Sequence, residues 1–198
     1  MGGILGLYNR GSRARWLWPC RHCGAMFQAE PGLAPFGLPA FEELESMVKA
    51  ENPLALAARY ARIACPSCGG IHEMTDRPAM NAAGIWLHEG DRMEGGKRHE
   101  GGRRRSQIAS YWLGGVAATY QRWDSILGKY FQAIAEYSAT AEETALKASV
   151  SMDAGAPYLP RALAARRSAE RLLDRAEEMP RGVAPSWARF LTTAVDVQ

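Results

Sequence analysis

Pro19-Cys20-Arg21-His22-Cys23-Gly24 and Cys65-Pro66-Ser67-Cys68-Gly69-Gly70 hold every cysteine of the chain, in two short units of one pattern. A Cys-x-x-Cys turn places two thiolates on one ion, and the glycine that follows tolerates positive φ, so backbone N–H groups can point at sulfur. Two such turns complete a tetrahedral shell of the kind zinc prefers in structural sites. Cys20, Cys23, Cys65 and Cys68 are therefore the expected metal ligands. Reduced free thiols are the main alternative; disulfides are the weaker one, because no secretory signal argues for an oxidising compartment. A four-thiolate shell leaves no position for water, so its expected contribution is to folding, on the order of 10 kcal/mol. His22 and His72 lie close enough in sequence to be ligands, but complete thiolate pairs make them redundant, and solvated or hydrogen-bonded roles are expected.

Working outward, Arg15-Trp16-Leu17-Trp18-Pro19 reads as a strand feeding the first pair, and Ala25-Met26-Phe27-Gln28 as its return. Residues 24–64 separate the pairs, more than the roughly 15–20 of a compact ribbon, and a helical insertion over about 30–62 accounts for the excess. Pro31, Gly32, Pro35, Gly37 and Pro39 open it; Phe41, Leu44, Met47 and Val48 then recur at helical spacing. Pro53 is a good first-turn residue for a second helix running to near Tyr60, and Arg62-Ile63-Ala64 enters the second pair as a strand. Ile71-His72-Glu73-Met74 resembles the last ribbon strand, Asp76 can cap a short helix ended by Gly84, and Ile85-Trp86-Leu87-His88 looks like another strand.

Residues 89–106 are rich in glycine and arginine without an apolar period, which predicts a surface loop. Lys97, Arg98, Arg103, Arg104 and Arg105 could meet DNA phosphates there, or form a solvated basic loop. Farther on, Trp123, Ile126, Leu127, Tyr130, Phe131 and Ile134 make one unbroken helical stripe. Thr140-Ala141-Glu142-Glu143 has capping-box spacing for a next helix carrying Ala145, Leu146, Ser149 and Val150. A charged helix is expected from Arg161 to about Glu178, and Leu191 to Val197 alternate into a strand. The six tryptophans are read as core rather than base-stacking platforms.

The fold class is thus α+β: a small four-cysteine zinc ribbon with a helical insertion, a mainly helical linker region, and a terminal strand. The expected organisation is 1–88 for the ribbon region, 89–106 for the basic loop, 107–185 for the helical linker region, and 186–198 for the first strand of a further domain.

With 198 residues, 47% of them hydrophobic, the chain can bury a real core. The net charge of +3 is too mild to identify a partner. No apolar run approaches the roughly 20 residues of a spanning helix, and the start lacks a basic n-region or myristoylation signal, so a cytoplasmic, membrane-free protein is expected. Gly96-Lys97 is not a nucleotide-binding loop, because Asp91 and Arg98 stand where a glycine and a hydroxyl are needed. His-Glu-x-x-His, Gly-x-Ser-x-Gly and the dinucleotide glycine fingerprint do not occur. Asp196, a carboxylate inserted near the end of an apolar segment, is of the type that holds divalent ions in nucleases.

Taken in order, Tyr8-Asn9-Arg10-Gly11, the Arg-Trp strand, the two Cys-x-x-Cys-Gly units, Gly84-Ile85-Trp86, Ser110-Tyr111-Trp112-Leu113-Gly114-Gly115, Ala156-Pro157-Tyr158, Val183-Ala184-Pro185 and Val195-Asp196-Val197-Gln198 resemble the large terminase subunit of lambda-like tailed phages. The resemblance covers nearly the whole chain. It implies a parent protein with an ATP-driven DNA-translocating motor and an RNase H-like nuclease that cuts concatemers. It implies a piece running from near the end of the ATPase region to the first nuclease strand, with Asp196 as the first metal-binding acid. Mg2+ or Mn2+ and ATP would belong to the full-length protein; double-stranded DNA, the small terminase subunit and the portal are the implied partners, in the bacterial host cytoplasm. A prophage remnant, a split gene or an expressed fragment would each fit, with the piece itself inactive. The function expected is a structural zinc-binding connector; the alternative is a free-standing zinc-ribbon adaptor for a protein or DNA partner. Two departures from the family are the long insertion between thiol pairs and the strongly basic loop.

Overall fold

A short helix, α1 (Gly3–Arg10), leads into β1 (Ala14–Pro19), the strand around which the main sheet is built. The computed structural model describes residues 3–94 and 97–166; the chain divides into units Met1–Pro160 and Arg161–Gln198. From β1 the chain turns through the first thiol pair into β2 (Met26–Gln28), which returns antiparallel with Trp18 opposite Phe27. The insertion forms α2 (Phe41–Ala50) and α3 (Pro53–Tyr60), as the periodicity predicts. Asn52 caps α3 by accepting from the Leu54 and Ala55 amides, and Pro53 occupies the first turn, where a missing N–H costs nothing. A two-stranded ribbon, β3 (Ile63–Ala64) and β4 (Ile71–His72), carries the second pair at its turn.

Next come α4 (Arg77–Ala82) and β5 (Ile85–Leu87), which lies antiparallel to β1 on the side away from β2. Asp76 caps in the reverse sense from that expected: its carboxylate accepts the Glu73 amide at the preceding 3-10 turn. The basic segment holds regular structure where a bare loop is expected. β6 (Arg92–Glu94) and β7 (Lys97–His99) pair antiparallel, with Arg92 opposite His99 and Glu94 opposite Lys97. Main-chain pairing needs no apolar period, which is why the pattern of side chains concealed it. β8 (Tyr111–Trp112) joins the main sheet parallel to the start of β1.

The long stripe is α5 (Trp123–Thr140), with Trp123, Ile126, Leu127, Phe131 and Ile134 buried and Tyr130 half-buried. α5 packs across α2 and α3, and the crossing with α3 is close because Gly128 is bare: a Cβ there would lie 3.0 Å from Leu54 and 3.9 Å from Ala57. Thr140 does not open the next helix. It is the last residue of α5, where its hydroxyl donates back to the Glu136 carbonyl and Ala141 adopts φ 61°. α6 (Thr144–Ala148) follows without a side-chain cap and runs into a π-helical turn over Ser149–Asp153. In the second unit α7 (Arg161–Arg166) begins the charged helix where expected. Its predicted extent to Glu178, and the predicted strand from Leu191 to Val197, lie outside the described residues.

The mixture of helix and sheet makes the fold α+β. One hydrophobic core unites the first unit, running from Trp18, Phe27, Leu44 and Leu56 to Met80, Trp123, Phe131 and Leu146, and it includes Cys20 and Cys65.

Candidate metal centre

Each thiol pair sits on the same backbone turn. Gly24 N–H donates to the Cys20 carbonyl at 2.9 Å and Gly69 N–H to the Cys65 carbonyl at 2.8 Å. These glycines have φ 74° and 71°, the left-handed region that disfavours a side chain. The amides left over point at sulfur: His22 to Cys20 at 3.3 Å, Ser67 to Cys65 at 3.4 Å, and Gly70 to Cys68 at 3.4 Å. Such bonds favour the thiolate.

β1–β2 and β3–β4 bring the two turns together. All four sulfurs lie within 4.8 Å of one another, Cys20 and Cys68 at 3.8 Å and Cys23 and Cys65 at 4.0 Å, and all four cysteines are free thiols. Four sulfurs bound at about 2.3 Å in a tetrahedron stand about 3.8 Å apart; a disulfide would need about 2.05 Å. The cluster therefore has the dimensions of a metal shell and not of a pair of cystines. Cys20 and Cys65 are buried, Cys23 and Cys68 exposed, so the site lies at the surface end of the core.

The thiols influence one another strongly. Burial most opposes ionisation of Cys65, but the Ser67 and Cys68 amides and the Cys20 and Cys68 thiols outweigh it and bring it down to about 7. For Cys68 the Gly70 amide favours the thiolate, whereas Cys23, burial, Cys20 and Cys65 oppose it and push it up to about 12. Charge on one sulfur hinders charge on the next, and a dication at the centre removes that hindrance.

Neither histidine joins the shell. His22 donates through Nε2 to the Ile71 carbonyl at 2.9 Å, tying the two turns together from outside. A Cβ at Gly70 would meet the His22 ring at 2.5 Å, so glycine there makes room for this bridge. His72 is fully buried, stacked on Phe27 with ring centroids 5.8 Å apart, and neither ring nitrogen has a hydrogen-bond partner. Its Nδ1 stands 3.9 Å from the Asp76 carboxylate. Burial and the neighbouring His22 hold His72 below the ordinary imidazole range, so at neutral pH it is an uncharged ring filling space behind the cluster.

Two polar side chains that the sequence reading passed over fix the elements around the centre. Arg77, buried in the core, donates to the carbonyls of Ala118, Gln121 and Thr119. Asn81 accepts the indole N–H of Trp16 at 3.1 Å and of Trp18 at 2.7 Å, and donates to the Ala117 carbonyl at 2.8 Å. An arginine and an asparagine on an otherwise short helix give no signal of this in sequence.

The expected cationic residues fall into two groups. Arg103 and Arg104 are engaged with Asp91, Glu100 and Glu89, and Arg98 with Glu100, while Lys97 and Arg105 make no ion pair among the described residues. Asp196 lies outside the described residues.

The model of the phage terminase large subunit gpA ATPase domain matches residues 1–86, and that of the terminase large subunit gpA endonuclease domain matches residues 108–198. The chain belongs to the phage terminase large subunit gpA family. Neither a curated protein nor a solved structure matches it. Its two terminase segments indicate a role in phage DNA packaging, and the thiol cluster falls inside the ATPase-domain match. Among the described residues no helix is long and apolar enough to cross a membrane.

Proposed function

We propose that the four thiolates hold a structural zinc ion and that this terminase chain is a metal-pinned connector between its motor-related and nuclease-related segments. One observation carries the reading: residues 1–86, matched by one domain model, share a single core with residues 108–160 of the segment matched by the other. Trp18 lies against Trp123 with ring centroids 6.4 Å apart, α3 packs on α5, β1 pairs with β8, and Arg77 and Asn81 grip the carbonyls of residues 117–121. A force or displacement in one segment is therefore passed to the other through packed side chains rather than a slack linker.

Soft thiolate ligands in a tetrahedral shell suit zinc, whose affinity they raise, and a closed shell makes the ion a cross-link with no open site for substrate. Metal analysis of the purified protein tests this directly. One zinc per chain is expected; a stoichiometry well below one, or a different ion retained in preference to zinc, removes the central support.

Family membership supports the remaining parts of the proposal: double-stranded DNA as substrate, the small terminase subunit and portal as partners, ATP and Mg2+ or Mn2+ as cofactors of the full-length protein, and the bacterial cytoplasm as the setting. Asp196 is proposed as the first nuclease carboxylate. The free-standing adaptor is the less favoured reading, because both matches are to terminase domains.

A further inference from the structure

The hairpin β6–β7 is an arm with a locked base. Asp91 has no exposed side-chain surface and is gripped by Arg103, whose Nε and Nη2 stand 3.2 and 3.0 Å from Oδ2. Glu89 is shared by Arg13 and Arg104, each at 3.1 Å. Arg104 also donates to the Asn9 carbonyl, and Ser106 to the Arg10 carbonyl, so the returning strand is seated on the C-terminal end of α1. Between these contacts the backbones of Gly90 and Gly102 nearly touch: a Cβ at Gly90 would lie 1.9 Å from the Gly102 oxygen. Arg98, on one face of the hairpin, donates to the Trp86 carbonyl and pairs with Glu100.

The opposite face is different. The register puts Arg92 and His99 side by side and Lys97 opposite Glu94, all exposed. Arg10 and Arg105, exposed at the seat of the arm, have no ion-pair partner among the described residues, and neither have Arg92 and Lys97. Arg92 and Lys97 on the locked arm, with Arg10 and Arg105 at its seat, thus leave their charge available to an anion. Residues 89–106 contain no phenylalanine, tyrosine or tryptophan, so His99 is the one aromatic ring in the segment and successive bases of a single strand find no series of rings to stack on. Charge without stacking suits the phosphate backbone of a duplex.

We propose that Arg10, Arg92, Lys97 and Arg105 form a contact surface for the phosphates of double-stranded DNA, and that Arg103 and Arg104 serve it only as positioning residues that lock the arm. The structure thus divides a run of cations that looks uniform in sequence. Binding of a fluorescent 30-base-pair duplex by the full, metal-loaded chain, measured across a salt series, separates the two roles. Each lost phosphate contact reduces the slope of log affinity against log salt by about 0.9. Changing Arg10, Arg92, Lys97 and Arg105 together to Gln should lower the slope by about 3.6, equivalent to roughly a 150-fold smaller loss of affinity between 50 and 200 mM salt. The paired exchange Asp91→Asn with Arg103→Gln unlocks the arm without removing any of the four surface cations, and should weaken binding at every salt concentration while keeping the slope, which counts phosphate contacts, at the wild-type value. Circular dichroism and zinc content, expected to match wild type in both variants, keep a folding or metal defect distinguishable from a lost surface. An unchanged slope in the fourfold variant, an equal fall in the paired variant, tighter binding of a single strand of the same length, or failure of the wild type to bind duplex would each overturn the proposal.

Discussion

If the four thiolates hold zinc as proposed, stripping it with a chelator should loosen α5 as well as the thiol turns, although α5 contributes none of the four cysteines. A structural four-thiolate zinc site contributes on the order of 10 kcal/mol to folding, comparable to the whole stability of about 5–15 kcal/mol of an ordinary domain. Cys20 and Cys65 belong to the same buried core as Trp123, Ile126, Leu127 and Phe131, and α3, which follows the first thiol pair in the chain and precedes the second, packs on α5. If only about 4 kcal/mol of the metal contribution reaches α5, exchange of its buried amides accelerates about 1000-fold, since about 1.4 kcal/mol is a factor of ten. Hydrogen exchange with mass-spectrometric readout, on protein with and without the ion, resolves residues 123–140 from residues 19–28 and 63–72. Acceleration in both regions is expected. Acceleration confined to the thiol turns, with α5 as protected as before, would refute the claim that one cooperative unit spans both family segments.

Asn81→Ala strands the indole N–H of fully buried Trp18, deprives half-buried Trp16 of its acceptor, and frees the Ala117 carbonyl. At about 1–3 kcal/mol per unsatisfied buried group the expected loss is about 2–4 kcal/mol by urea unfolding, shrinking when Trp18 is already Phe; a loss under about 1 kcal/mol would show that the bridge is dispensable. His88, buried and bonded through Nδ1 to Ser12 at 2.8 Å, is held below the ordinary imidazole pKa by burial and then by Arg103. The unfolded chain therefore protonates first, near about pH 6.5, so stability is present above that pH and falls as pH drops through it toward the folded value. The urea midpoint should fall more between pH 7.5 and 5.5 in wild type than in His88→Gln, and parallel declines would exclude His88 as the cause.

Local chemistry made much of this legible. The two Cys-x-x-Cys-Gly turns, the start of α3 at Pro53 and the stripe of α5 each follow from a few neighbouring residues, and the structure places them as the sequence predicts. What stayed hidden was non-local. Thr140 has the residue type and spacing of a cap, but α5 continues through it because Tyr137, half-buried against Phe41, keeps the last turn packed. The hairpin in residues 89–106 rests on main-chain pairing and on Asp91–Arg103, twelve positions apart, and neither leaves a periodic trace. The run Arg103-Arg104-Arg105 reads as one patch until Glu89, Asp91 and Glu100 are seen to engage two of its members.

The proposed ion would meet a demand set by the chain's shortest elements. β2 has three residues and β3 and β4 two each, lengths that are not stable in isolation. They nevertheless have to close a loop of residues 24–64, whose closure entropy must be met by something at its ends. The thiol cluster supplies the closure, and α5 holds the middle of the same loop through α2 and α3. The insertion is thus fixed twice, at its ends by the cysteines of the ATPase-matching segment and at its centre by a helix of the endonuclease-matching segment. Losing either restraint places the whole demand on the other, and this interdependence makes a distant metal site and a packed helix parts of one coupling.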